Sequence, residues 1–226
     1  MTQDGKPSRI NEIRLFFSPD ATLPPLKAIS DLDGHEEAKT FTRRMMWWLN
    51  GENYSCGPWA AVYLVLTPAL APGKIRITDE GTGWWNRYAL AGVPADFAKA
   101  PNAPDIVRRA VVDALRTIRP DLYDLVNGTE KTVRTHGDDL RFLMQTRITK
   151  RSTIELYFSL PAPPATSLLF TGFTDAKTGV FLESPALDTG VIGAPLEYNA
   201  KPVGIAEIEK MTDILRTKKR PVLSKL

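Results

Sequence analysis

Alternating apolar and polar side chains, with a period of two residues, predict the strands of this chain. The alternation is cleanest over residues 153–160 and is also clear over residues 13–17. Residues 61–66 are almost continuously apolar and rich in Val and Leu. This is typical of a strand covered on both faces, so we expect it at the centre of a sheet. Two hairpins are predicted, one over residues 74–91 and one over residues 167–183.

Apolar positions three or four residues apart predict the helices. The clearest stripe starts at Glu36 and ends at Asn50-Gly51. A second stripe predicts a helix over residues 105–118, which Pro120 ends. A third predicts a closing helix over residues 205–215. Each of these helices has one apolar face to bury, so we expect all of them to pack against a sheet or another helix.

The segment between residues 121 and 150 is predicted as two short helices. The first is expected to end at Asn127-Gly128, and the second to begin at Asp138 and Asp139. In total, about seven strands and three or four packed helices in mixed order predict an α+β fold with a mixed, mainly antiparallel sheet. Hairpins in place of regular strand–helix alternation argue against a doubly wound dinucleotide fold.

A single domain over residues 1–226 is the expected organisation. The sequence has no internal repeat and no flexible Gly/Ser linker. The proline-rich connector at residues 161–164 is the only plausible seam between domains, and it is short.

Composition narrows the class of protein. The 226 residues are 43% hydrophobic and 24% charged, enough for a substantial core, which excludes a disordered or fibrous chain. No segment reaches the roughly 18 apolar residues that a membrane-spanning helix requires. The N-terminus has no apolar run of the signal-peptide type. A cytoplasmic protein with no membrane partner is therefore expected.

The net charge of +3 comes from the C-terminal end of the chain. Residues 216–226 carry five positive charges and no acid, so the rest of the chain is close to neutral. Such a tail can hold polyanions weakly and without sequence preference, but proteins that bind nucleic acid spread Lys and Arg along a face. We interpret the tail as a solvated terminus and expect no specific nucleic-acid partner.

Candidate chemistry is sparse. The chain has one cysteine, two histidines and no glycine-rich phosphate loop, so neither a metal nor a cofactor is expected. One enzyme interpretation assigns specific residues to catalytic roles. Cys56 could be the nucleophile of a thiol hydrolase, with His136 as its base and Asp138 or Asp139 orienting that base. The competing interpretation of Cys56 is a buried structural cysteine.

Tryptophan has an uneven distribution that suggests a surface. All five tryptophans fall between residues 47 and 85. Trp47 lies off the apolar stripe of its predicted helix, and strand alternation sends either Trp84 or Trp85 outward. These side chains either complete the core or form an exposed aromatic anchor for a partner. An acidic run precedes the same helix and is either a solvated helix start or part of a surface for a basic partner. The candidate partner-binding residues are Asp31, Asp33, Glu36, Glu37, Trp47, Trp84 and Trp85.

The first fifty residues resemble the immunity protein 52 family of bacterial antitoxins. The likeness rests on Ile13-Arg-Leu-Phe-Phe-Ser-Pro19, on Leu23-Pro-Pro-Leu26, and on an amphipathic helix running into Met46-Trp-Trp-Leu-Asn-Gly51. It implies a cytoplasmic inhibitor without catalytic residues. Such an inhibitor binds a cognate toxin, often a restriction-endonuclease-like nuclease delivered by type VI secretion. The body of the chain is nearly neutral, so two modes of inhibition stay open. Either the acids at residues 31–37 and 138–139 gather on one face that competes with DNA, or the toxin is inhibited by distortion or by prevention of its oligomerisation.

Overall fold

The computed structural model describes residues 9–20, 30–78, 85–190 and 192, and the chain divides into two compact units. The first unit is residues 1–137 and the second is residues 138–226. The boundary therefore does not coincide with the proline connector at residues 161–164, which joins two paired strands inside the second unit. That one domain spans the whole chain stays a prediction.

The first unit combines a mixed sheet with three helices in its described part. Its elements are β1 (Glu12–Phe17), β2 (Ser30–Asp31), α1 (Glu36–Gly51), β3 (Ala61–Thr67), β4 (Ile75–Ile77), β5 (Asn86–Gly92), α2 (Ala103–Ile118) and α3 (Tyr123–His136). The strand order is β2-β1-β3-β5-β4. The three inner strands run parallel and the two short edge strands run antiparallel to them. The predicted central position of β3 is confirmed.

The parallel pairing follows from the connections. A parallel pair needs a long crossover, and α1 supplies it between β1 and β3. The helices pack on this sheet: α1 contacts β1, and α2 contacts β3, β4 and β5. Met45 of α1, Val107 of α2 and Leu64 of β3 are completely buried. The main core of the unit therefore includes these contacts between helices and sheet.

The second unit is an antiparallel sheet in its described part. Its strands are β6 (Arg141–Ile148), β7 (Ser152–Ser159), β8 (Leu168–Asp175), β9 (Phe181–Glu183) and β10 (Leu187–Asp188). The strands β6, β7 and β8 form a meander, and β9 and β10 both pair with β8. One face is buried by Ile154, Leu156 and Phe158, the alternating residues that predicted β7. The strand prediction for this segment is confirmed.

Two predictions between residues 121 and 150 are wrong. The helix α3 continues through Asn127-Gly128 to His136, because Val126, Thr129 and Val133 are buried along one side and α3 packs on α1 and α2. This tertiary packing outweighs the cost of about 1 kcal/mol for a glycine inside a helix.

The predicted helix beginning at Asp138 and Asp139 is the strand β6. These two aspartates lie in a short 3-10 turn, and β6 pairs with β7 from Arg141 onward. A bulge between Leu143 and Gln145 interrupts the two-residue period of β6. The interrupted period resembles helical spacing in the sequence, which explains the error.

The predicted fold class is confirmed as α+β, while the sheet arrangement differs. Within the described residues, three helices occur with two five-stranded sheets in place of one sheet of about seven strands. The predicted helix over residues 205–215 and the basic tail at residues 216–226 lie outside the described residues.

Candidate functional site

Trp85 is an exposed aromatic side chain at the N-terminal end of the parallel strands. It is 42% exposed, directly before β5. Its backbone carbonyl accepts hydrogen bonds from the N–H groups of Ala60 and Ala61, at 2.8 and 2.9 Å. These bonds attach the backbone of Trp85 to the start of β3. Strand alternation predicts one outward side chain here, and the structure places Trp85 outward, while Trp84 lies outside the described residues.

Trp59 and Arg87 form a stacked pair beside it. The guanidinium carbon of Arg87 lies 4.4 Å from the centre of the Trp59 ring. Arg87 Nε also donates a hydrogen bond to the carbonyl of Thr78 at 2.7 Å, so the guanidinium is held from two sides. Both side chains are half-buried. We call Trp59, Trp85 and Arg87 the tryptophan surface.

The loop that carries Trp59 is hydrogen-bonded to the end of α2. Arg119 donates to the backbone carbonyl of Ser55 at 2.6 Å and pairs with Asp121 at 2.5 Å. The Tyr54 hydroxyl donates to the carbonyl of Leu115 at 2.9 Å. A surface built on an anchored loop loses little conformational entropy when it binds.

Cys56 lies in the same loop, but it is buried and only 2% exposed. Desolvation raises the pKa of its thiol to about 12, although the positive charges of Arg87 and Arg119 act in the opposite direction. The thiol hydrogen-bonds to Tyr54. A catalytic thiolate requires a lowered pKa, so this environment is unfavourable for the nucleophile of a hydrolase. His136, the proposed base, is exposed at the end of α3.

Two of the four acids at the start of α1 are paired with cations. Glu36 bonds to Lys39 at 2.7 Å, and Glu37 bonds to Arg108 at 2.7 Å. Asp33 is exposed, and the backbone of Asp31 pairs with β1 in the short strand β2. Paired carboxylates present less net negative charge to a partner than the sequence suggests.

The acidic residues and the tryptophan surface lie at opposite ends of the sheet. The segment before α1 bonds to the end of β1, through Leu32 N–H and the carbonyl of Leu15 at 3.1 Å. The last turn of α1 lies at the start of β1, where the Asn50 amide donates to the carbonyl of Ile10 at 2.5 Å. A helix of 16 residues, such as α1, is about 24 Å long. The structure therefore does not bring the predicted acidic and aromatic residues together.

Trp47 lies at the same end of the sheet as the tryptophan surface. It is in the last turns of α1 and is half-buried. Trp59 and Arg87 are the additional residues that sequence reasoning did not select. Trp59 was visible as part of the tryptophan cluster, but its stacking on Arg87 depends on the register of β5 against β3, which places Arg87 opposite Val62.

Among the described residues, no three His, Cys, Asp or Glu side chains group in a way that could hold a metal ion. No helix in the described part of the chain has the length and apolarity needed to cross a bilayer. Comparisons with protein-family models, curated proteins and solved structures find no match.

Proposed function

We propose that this chain is an immunity protein that binds a cognate secreted bacterial toxin and neutralises it by stoichiometric inhibition. The observation that carries the proposal is the tryptophan surface, where an exposed tryptophan lies two residues before an arginine that stacks on a second tryptophan. Tryptophan and arginine are the residue types most enriched at interface hot spots. The resemblance of the first fifty residues supplies the partner class, a toxin delivered by type VI secretion and often a nuclease.

The state of Cys56 favours binding over thiol chemistry. Its raised pKa keeps the thiol protonated near neutral pH, and its burial limits access for a substrate. The loop around it instead supports Trp59, which belongs to the tryptophan surface. A binding role uses this arrangement directly, because an anchored loop holds the aromatic side chain in place before the partner arrives.

The proposal places toxin contact on the tryptophan surface and not on the start of α1. An inhibitor that mimics DNA needs carboxylates free to replace phosphates, whereas Glu36 and Glu37 are paired with Lys39 and Arg108. Aromatic contact inhibits by covering or distorting the toxin, and neither mode requires a large negative field.

The test is purification of the tagged full chain from its native cells, followed by a growth assay. The co-purified protein is identified by mass and its ratio to the bait is measured. It is then expressed alone, and with the bait, in a sensitive host. We expect a near one-to-one partner that stops growth alone and is neutralised by the bait.

The Trp85→Ala variant tests the surface itself. We expect about 30-fold weaker binding, the loss associated with a hot-spot side chain, together with loss of growth protection. Leu143→Ala is the matched control, because Leu143 is also a large hydrophobic residue, is 50% exposed and lies in β6 of the second unit. Circular dichroism checks that both variants are folded. A toxin held equally by both variants would contradict the placement, and a partner that does not harm growth would contradict the function.

A further inference from the structure

One end of the second sheet combines positive charge with exposed aliphatic side chains. It consists of the turn between β6 and β7 and the turn between β8 and β9, residues 147–152 and 175–180, which we call the basic tip. The two turns lie side by side, since Ser152 pairs with Asp175 in the sheet. The N–H of Ala176 also donates to the carbonyl of Arg151 at 2.9 Å.

The charge of the basic tip is strongly positive. It contains Arg147, Lys150, Arg151 and Lys177, against the single carboxylate of Asp175. The Asp175 carboxylate is occupied by its own turn, where it accepts hydrogen bonds from the N–H groups of residues 177 and 178 at 3.0 and 2.8 Å. Among the described residues, the side chains of Lys150, Arg151 and Lys177 form no ion pair.

The same two turns carry exposed aliphatic side chains. Ile148 is 78% exposed, more than any other large hydrophobic side chain in the described part of the chain. Val180 is 36% exposed on the neighbouring turn. A single exposed apolar residue is ordinary on a protein surface. Exposed aliphatic side chains on the same turns as Lys150, Arg151 and Lys177 have the composition of a docking site for a partner with the opposite charge.

The backbone of the basic tip is held in place by its own hydrogen bonds. Thr149 and Ser152 bond in both directions, from Thr149 N–H to the Ser152 carbonyl at 2.8 Å and from Ser152 N–H to Thr149 Oγ1 at 3.0 Å. The second turn closes from the N–H of Asp175 to the carbonyl of Val180 at 2.9 Å. A partner therefore binds a preformed backbone surface, and the main entropic cost of binding is the ordering of the cationic side chains.

We propose that the basic tip is a docking surface for an acidic protein surface. Carboxylates of the partner pair with Lys150, Arg151 and Lys177, and an apolar side chain of the partner packs on Ile148. The inference goes beyond the proposed function and does not depend on it, because the tip belongs to the second unit and the tryptophan surface to the first.

A protein fits this surface better than a nucleic acid or a lipid bilayer. Neither turn of the basic tip contains an aromatic side chain on which bases could stack. Two isolated aliphatic side chains are a small apolar area compared with the continuous apolar face by which proteins enter a bilayer. Carboxylates around an apolar contact match both features of the tip.

The experiment uses the full chain and three fluorescent probes: a short acidic peptide in which glutamates flank leucines, a short DNA duplex, and vesicles containing phosphatidylserine. The charge-reversal variant is Lys150→Glu with Arg151→Glu and Lys177→Glu, and a milder one replaces the same residues with Gln. The matched control reverses three exposed cations of the first unit, Lys74, Arg109 and Lys131. The basic tail at residues 216–226 is present in every variant, so differences report on the tip.

We expect charge reversal to weaken peptide binding about tenfold and the Gln variant to weaken it less, with no change in the control. Ile148→Thr is expected to weaken peptide binding about threefold and to leave duplex binding unchanged. The charge-reversed protein should gain affinity for the corresponding peptide of lysines and leucines. Equal losses for peptide and duplex, with no effect of Ile148→Thr, would reveal general polyanion binding and overturn the proposal. Vesicle binding that depends on Ile148 would replace the protein partner with a lipid surface.

Discussion

Replacing Gly128 with alanine is expected to stabilise the first unit. Gly128 is exposed inside α3, where the sequence alone predicts a break. Nothing lies within 4 Å of the position that an added Cβ would occupy, so the methyl group meets no obstacle. The alanine lowers the conformational entropy of the unfolded chain and leaves the folded helix unchanged.

The expected gain is about 0.5–1 kcal/mol, the difference between glycine and alanine in a helix interior. With an m-value of about 2 kcal/mol per molar urea, this raises the unfolding midpoint by about 0.3–0.5 M. The gain has this size only if α3 is a continuous helix through Gly128. A chain that turned at Asn127-Gly128 would lose stability, since glycine is favoured where a turn needs it.

Gly92→Ala is the control of opposite sign. A Cβ on Gly92 would lie 2.0 Å from the carbonyl oxygen of Ala71 and 2.9 Å from that of Leu70. The N–H of Gly92 donates to the carbonyl of Lys74 at 2.8 Å, so the two segments are held together. Relief of the clash requires the backbone to move, and we expect a loss of about 3 kcal/mol.

Tryptophan fluorescence during urea titration is the suitable assay. All five tryptophans lie between residues 47 and 85, inside the first unit, so the signal reports the unit that contains both glycines. Equal midpoints for the wild type and Gly128→Ala, or a lower one for the variant, would refute a continuous α3. A Gly92→Ala variant as stable as the wild type would refute the close approach of residues 70–71.

Three further predictions concern Cys56 and Arg116. Iodoacetamide at pH 8 should alkylate native Cys56 at least about 100-fold more slowly than the unfolded chain, because burial raises the pKa of the thiol to about 12; rapid native alkylation would revive the hydrolase interpretation. In the unfolded chain the thiol has its ordinary pKa of 9.0 and therefore ionises more readily than in the folded protein. The free energy of unfolding should consequently fall as the pH rises from 9 to 12, and it should fall less steeply in Cys56→Ala than in the wild type. Arg116→Ala should lower the free energy of unfolding by about 1–3 kcal/mol, since Arg116 of α2 bonds to Asn127 and Glu130 of α3 at 2.8 and 3.0 Å; thermal melts against Arg109→Ala measure this.

The sequence pattern predicted an element correctly where burial follows the same regular period along the whole element. Burial alternates along β7, and the buried residues of α1 and α2 recur at helical spacing over most of each helix. Sequence periodicity therefore identified all three elements. It failed for β6, whose bulge disturbs the period, and for α3, whose glycine signals a turn. In both cases a neighbouring element decided the outcome, through pairing with β7 or packing on α1 and α2.

The candidate surface shows the same division. Alternation predicted that one of Trp84 and Trp85 faces outward, and Trp85 is exposed. No local signal connects Trp59 with Arg87, because their contact depends on how β3 and β5 pair across the sheet. The acidic start of α1 appeared close to the tryptophans in sequence, yet the length of the helix carries it to the other end of the sheet.

The sequence by itself determined the α+β class, the position of the central strand β3 and the neutral character of the body. These properties depend on composition and on the direction in which side chains point within a single helix or strand. Only the tertiary structure decided that the strands form two sheets, that Cys56 is buried with a raised pKa, and that cations and aliphatic residues meet at the basic tip. The physical reason is that pairing between distant segments depends on the burial and hydrogen bonding of the whole unit, which no short stretch of sequence contains.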